Sequence, residues 1–390
     1  MLSIGTEERR RRLGVRHHLA NRAGDIVSVA GDLVGVHSSD PSTVFLSFRA
    51  RRAGFAHADL EKALYEDRAL VRVLGMRRTL FVVPAEMEAL LRVGFATPYA
   101  PSERRRLEGW LADQHGLGPE WLDDVLTRTH AALMDLGEAS ARELTEHVPE
   151  LSTKLVFGAG KKWGGEVGLS TRVLFLLAAS GRIVRVRPLG TWVSGQYRWA
   201  PLDTWLDRDS PDLDLRDARA EAVKRWLGTY GPGTFEDIKW WAGMGVRDTR
   251  AALTDAGAIE VQLDGTTGYV LPGDAAMSEP PEPWVALLPG LDSTPMGWKE
   301  RRWFLGEHGN LVFDRNGNIG PTIWVNGRIA GGWGQNRDGG VEYEVLEQLE
   351  ADEKSLVELE VDRLEAWFAG DIVIPRFRTP LENRLSGRSG

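Results

Sequence analysis

One order of elements recurs three times along the chain, and this repetition limits the fold more than any single segment does. Each copy runs from short helices into a pair of strands. In the first, residues 6–22 read as a helix with Thr6 as N-cap and Glu7 and Glu8 in its first turn. A second helix covers residues 26–36. Ser39-Asp40-Pro41 opens a third, because a cap residue followed by proline at the first helical position presets the turn. Val44, Phe45 and Phe48 follow at helical spacing, and Arg49, Arg51 and Arg52 close the helix. After a short helix over residues 59–65, apolar runs at 70–74 and 79–83 flank residues 75–78 as a β-hairpin. Helices that run into a hairpin are the parts of a winged helix.

The second copy places helices at residues 119–136 and 140–147, with Ser140 as N-cap, then an apolar stretch at 170–179 and strands at 183–186 and 196–199. The third is the clearest. Helices at 217–229, 234–241 and 247–256 surround a Gly243-Met244-Gly245 turn, and strands at 259–263 and 269–271 meet through Asp264-Gly265. Pro280, Pro281 and Pro283 mark a linker, after which strands are expected at 311–313, 322–325, 328–331 and 341–345, with turns at Asn316-Gly317 and Asn326-Gly327. A helix at 356–368 and a tail through 372–374 close the chain. The expected class is α+β: winged-helix units over residues 1–100, 101–208 and 209–279, then a small antiparallel β-barrel or sheet over 280–390.

Composition narrows the chemistry. At 390 residues the chain exceeds one ordinary hydrophobic core. The absence of cysteine excludes disulfides, thiolate zinc sites, iron-sulfur clusters and a cysteine nucleophile. His17 and His18 are adjacent rather than one helical turn apart, so no metal is expected. The stretch from Phe157 to Lys162 lacks the spacing of a phosphate-binding loop, so no nucleotide cofactor is expected. No apolar run is long enough to span a bilayer, which points to a soluble, cytoplasmic protein with no membrane partner. The net charge of -8 hides an asymmetry: residues 1–110 carry 18 Lys and Arg against 13 Asp and Glu, the remainder 30 against 43. Tandem winged helices with a basic first unit make DNA the leading partner. The run from Arg9 to Arg12 is expected to be solvated.

Four segments together resemble the bacterial winged-helix DNA glycosylases of the AlkZ and YcaQ type, which excise N-alkylated purines and unhook interstrand crosslinks. They are residues 33–41, residues 76–86, Trp192 with Tyr197-Arg198, and Phe313-Asp314-Arg315-Asn316-Gly317-Asn318-Ile319-Gly320-Pro321-Thr322. The resemblance implies a C-shaped array of three winged helices closed by the β domain. The family's catalytic signature, a Gln, a spacer, then Gln or Asp directly before an Asp-Pro, falls here on His37 and Ser39. It implies that His37 accepts a proton from the attacking water, with Ser39 assisting and Asp40 either assisting or capping the helix. Arg49, Arg51, Arg52, Arg77 and Arg78 are expected on DNA phosphates, with Lys161 and Lys162 beside Trp163 as further contacts. The expected protein is a monomeric, monofunctional DNA glycosylase acting at the nucleoid on duplex DNA that carries alkylated or bulky-adducted purines, unhooking crosslinks or giving genotoxin resistance. The alternative, since neither signature amide is present, is a non-catalytic winged-helix protein that sequesters lesions or regulates.

Overall fold

Capping chemistry sets where the helices begin in the computed structural model, which describes residues 2–387 apart from 159, 162, 163, 208–210 and 275. The first unit holds α1 (Thr6–Arg16), α2 (Ile26–Asp32), β1 (Val36–His37), α3 (Pro41–Arg51), α4 (His57–Glu61), β2 (Leu70–Leu74), β3 (Leu80–Pro84) and α5 (Glu88–Leu91). Asp25 caps α2 by accepting from the backbone of Val27 and Ser28, and Asp40 caps α3. Thr6 is not the cap expected of it. Gly5 takes that position, and the Thr6 hydroxyl donates instead to Asp264, 2.6 Å away in the wing of the third unit.

The second helix stops four residues before the expected end at residue 36. Val34 and Gly35 turn to φ 51° and 110°, and the chain passes straight into β1. The turn brings the backbone so near β3 that a Cβ on Gly35 would lie 3.1 Å from Phe81 and Val83. The basic run of α1 also departs from expectation. Arg12 is buried on Glu8, at 2.7 Å, and Arg9 lies under the Trp303 ring, 4.1 Å from its centroid.

The second unit contains α6 (Ala100–His115), α7 (Pro119–Leu136), β4 (Ala139–Ser140), α8 (Ala141–His147), the hairpin β5 (Lys154–Phe157) and β6 (Gly165–Gly168), α9 (Leu169–Ala179), β7 (Ile183–Pro188), β8 (Tyr197–Pro201) and α10 (Leu202–Leu206). Ser140 and Glu143 form a capping box on α8. The wings of the first two units join edge to edge in one antiparallel sheet of order β1-β3-β2-β7-β8-β4. Arg72 faces Arg185 at the seam. In the third unit, α11 (Leu215–Tyr230) precedes β9 (Gly233–Thr234), α12 (Phe235–Ala242), α13 (Val246–Asp255), β10 (Ile259–Leu263) and β11 (Thr266–Val270). Thr234 and Asp237 box the start of α12, and Gly243 ends it at φ 67°.

The C-terminal part holds β12 (Val285–Leu288), α14 (Arg302–Leu305), α15 (Gly309–Val312), β13 (Thr322–Val325), β14 (Arg328–Gln335), β15 (Val341–Val345), α16 (Ala351–Phe368) and α17 (Pro380–Ser386). Its strands form an open sheet of order β12-β13-β14-β15 rather than a closed barrel. The expected strand at 311–313 is a helical turn. Asp314 accepts from the backbone of Asn316 and Asn318, at 2.8 Å each, and this local loop replaces a strand ladder there. Asn326 and Gly327 adopt φ 48° and 85°, the turn an Asn-Gly step favours. One continuous apolar core runs from Leu13 through Trp226 to Trp324 and Leu381, so the first and third units and the C-terminal sheet pack as one body.

Candidate active site

β1 carries the site because its two residues pair with β3, which places His37 opposite Phe81. The His37 backbone N–H donates to the Ser293 hydroxyl at 3.0 Å, and that hydroxyl donates to the Gly35 carbonyl at 3.0 Å. The loop before α14 thus clamps the strand from the far end of the chain. Beneath it, Asp292 accepts two hydrogen bonds from Arg51, at 2.6 and 2.8 Å, and both side chains are fully buried.

The His37 ring meets Phe81 edge-on at 5.4 Å, and its Nδ1 is buried without a hydrogen-bond partner among the described residues. A cavity of about 10 Å³ lies against it, walled by Arg77, Tyr230, Trp241 and Ser293. That is room for one water. Burial, reinforced by the nearby Arg77 charge and only partly opposed by Asp292, pushes the imidazole down to about 3. His37 is therefore neutral at physiological pH. It can accept a hydrogen bond and orient a water, but it cannot keep that water's proton. The expectation that it accepts a proton near neutrality gives way to this environment.

Arg77 belongs to this site rather than to an open wing face. With φ 53° in the turn between β2 and β3, it lies 4.0 Å from the Trp240 ring centroid, and Arg301 lies 4.7 Å from the same ring. Burial lowers both guanidiniums to about 10, so both stay charged at neutral pH. They form a cationic wall beside the neutral imidazole. Ser39 is half-buried with its carbonyl accepting from Arg376 at 3.2 Å, and its hydroxyl makes no hydrogen bond among the described residues. Asp40 caps α3 through Ser42, and its second oxygen accepts from the Arg376 backbone at 2.8 Å. Both of its oxygens are thus engaged.

Two arginines expected on phosphates are interior. Arg49 is 5% exposed and pairs with Glu360 at 2.6 Å, while Arg51 holds Asp292. The C-terminal part supplies their counter-charges, so neither reaches a phosphate. Arg52 is partly open and paired with Asp59; Arg78 is exposed and reaches Glu103 at 2.6 Å. Lys161 is exposed in the loop between β5 and β6, and Lys162 and Trp163 lie outside the described residues. Sequence reasoning missed Ser293, Asp292, Arg301 and Trp240. The segment from 289 to 298 has no periodicity, yet every described side chain in it is buried.

The fold is thus one of tandem winged helices, with a cavity for one water beside His37. A family model described as DNA glycosylase AlkZ-like matches residues 30–367, and the chain belongs to this AlkZ-like DNA glycosylase family. It is a DNA-repair glycosylase, a hydrolase of N-glycosyl bonds. The interstrand DNA cross-link repair glycosylase of Streptomyces sahachiroi is 27% identical over 326 residues, covering 78% of this chain and 81% of its own. The solved structure of Streptomyces sahachiroi DNA glycosylase AlkZ matches with a TM-score of 0.72 at 22% identity, over 93% of this chain and 96% of that one. The two share a fold. No helix among the described residues is long and apolar enough to cross a membrane.

Proposed function

We propose that this glycosylase cleaves alkylated or bulky-adducted purines from duplex DNA, unhooks interstrand crosslinks, and so protects its cell from a genotoxin. The name of the Streptomyces relative supports the crosslink part. The chemistry suits a site without a free acid. Alkylation at N7 leaves a cationic purine that departs as a neutral base, so the enzyme has to hold water and meet oxocarbenium-like charge at the sugar. The carrying observation is the neutral His37 beside a cavity for one water. In this role His37 orients water as an amide would, which fits a position where the family signature has Gln. Ser39 offers a second hydroxyl contact, and Arg77 with Arg301 draws the DNA backbone toward the strand.

Arg52, Arg78, Lys161 and Lys162 are the proposed outer phosphate contacts. Three winged helices in one chain supply several contact faces without a second subunit, so the protein works as a monomer, in the cytoplasm at the nucleoid. The test is single-turnover release of N7-methylguanine from methylated duplex DNA, scored as alkali-labile sites. Wild type should release the base, His37→Ala should be slower by about a hundredfold, and His37→Gln should stay within about tenfold of wild type. Equal loss in both variants would refute the orienting role. No release by wild type, with DNA bound tightly, would refute the substrate assignment.

A further inference from the structure

Behind the strand that carries His37, a cavity of about 300 Å³ opens at the seam where β2 meets β7. That volume lies at the lower end of small-molecule sites. Its walls combine arginines with aromatic rings, and α9, the helix that precedes the wing of the second unit, forms one side. Arg72 is 2% exposed and lies 4.5 Å from the Tyr197 ring centroid. Arg185 lies 4.9 Å from the Trp199 ring and 5.6 Å from Tyr197. Arg172, on α9, lies 5.2 Å from Trp110.

The charges do not cancel. Glu88, the one carboxylate in the lining, is spent on Arg92 at 2.6 Å. Among the described residues Arg72 bonds only neutral hydroxyls, those of Ser38 at 2.8 Å and Tyr65 at 3.3 Å. Among the described residues Arg172 and Arg185 form no ion pair, and each has a buried Nε–H without an acceptor. Arg51 and Arg12, by contrast, are matched with Asp292 and Glu8, whereas Arg9 is buried against Trp303 without an ion pair among the described residues. Arg72 is a buried guanidinium without counter-charge, which is costly, Arg172 and Arg185 are half-buried beside it, and an entering anion removes that cost. The planar fork matches carboxylate and phosphate oxygens, and the adjacent rings offer stacking faces.

We propose that this cavity binds a planar aromatic ring bearing an anionic oxygen group. Two sources share that chemistry: a nucleotide unstacked from DNA, and an aromatic acid that is not a nucleotide. Ser38 joins the cavity to the active strand, since it bonds Arg72 while its neighbour His37 faces the other side of the sheet. The inference stands whether or not His37 handles water.

Titration calorimetry on the full chain without DNA tests it, with deoxyguanosine 5′-monophosphate and quinoline-2-carboxylate as probes. Deoxyguanosine and quinoline-2-carboxamide are their uncharged counterparts. At least one charged probe should bind, its counterpart being weaker by at least about tenfold. Arg185→Met, which keeps an unbranched stem and removes an uncompensated charge, should weaken that probe by about tenfold, and Arg172→Gln should act in the same direction. Arg216→Met, on α11 outside the cavity and paired with Asp255, should change nothing. Binding of the nucleotide assigns the site to DNA, and binding of the quinoline acid alone assigns it to a non-nucleotide aromatic. Neither probe binding at millimolar concentration, counterparts binding equally well, or affinity unchanged in both cavity variants would overturn the proposal.

Discussion

In the first unit the third helix, α3, is buried from Ser42 to Arg51, whereas α13 in the third unit buries only Thr249, Ala252 and Leu253 and turns Val246, Arg247 and Arg250 to solvent. α3 follows β1 as α12 follows β9, so in element order α13 answers to α4, and α3 and α13 are each simply the third helix of their unit. The difference comes from what covers them. The loop before α14 lies on α3: Thr43 donates to the Gly290 carbonyl at 2.7 Å, Ser47 to Asp292 at 2.6 Å, and Arg51 holds the same carboxylate. Among the described residues no equivalent segment covers α13. One helix shields chemistry and the other is free to meet a groove. The same sealing that removes α3 from DNA makes His37 neutral, because a buried imidazole loses its proton.

The contrast breaks most visibly in stability. Arg51→Ala or Asp292→Ala should each cost about 3–5 kcal/mol, since each leaves a buried charge unpaired. Arg250→Ala on the open helix should stay within about 0.5 kcal/mol. Chemical denaturation measures both, and a mild Arg51→Ala would mean that α3 is not sealed as described. Catalysis sharpens the contrast next. His37→Ala should lower the single-turnover rate by about a hundredfold, while Arg250→Ala at saturating enzyme should leave it within about twofold.

Acid stability follows from the same burial. Unfolded, His17 and His37 titrate near 6.5; folded, His37 titrates at about 3 and His17 well below its usual value, both chiefly through burial. Below 6.5 the unfolded chain takes up protons that the native chain refuses, so stability is lost as pH falls from there toward 3. The slope contributed is at most about 1.4 kcal/mol per pH unit for each histidine. Denaturation midpoints between about pH 6.5 and 5 should fall less steeply in His37→Gln. The smallest effect is on salt dependence. Arg247→Ala and Arg250→Ala should each reduce the slope of log affinity against log salt by about 1, and Arg49→Ala, its charge held inside by Glu360, should not.

Local chemistry was legible in the sequence and long-range cover was not. The helix from Pro119 to Leu136 and the strand from Leu70 to Leu74 form as expected, because Pro at a first turn, the positive-φ glycine after Leu136 and a hairpin's apolar runs act within a few residues. β1 was hidden in the helical pattern of residues 26–36, since only pairing with β3 extends it. α6 went unseen because its charged stretch from Glu103 to Arg106 masks the spacing of Leu107 and Leu111. His37 was found through the family signature, whereas Ser293 and Asp292 carried no local signal at all. A helix-terminal arginine looks the same whether it meets a phosphate or a carboxylate 311 residues away, as Arg49 meets Glu360.

In the proposed mechanism, cover from the C-terminal part makes His37 a neutral acceptor that orients water. The direct measurement is the pH profile of single-turnover base release between about pH 5 and 8, on the wild type beside His37→Gln. Flat profiles are expected for both, because an imidazole held at about 3 has no proton to gain in that range. A wild-type rate that falls tenfold per unit below about pH 6.5, with a flat His37→Gln profile, would show a histidine that takes the water's proton and rule out the orienting role.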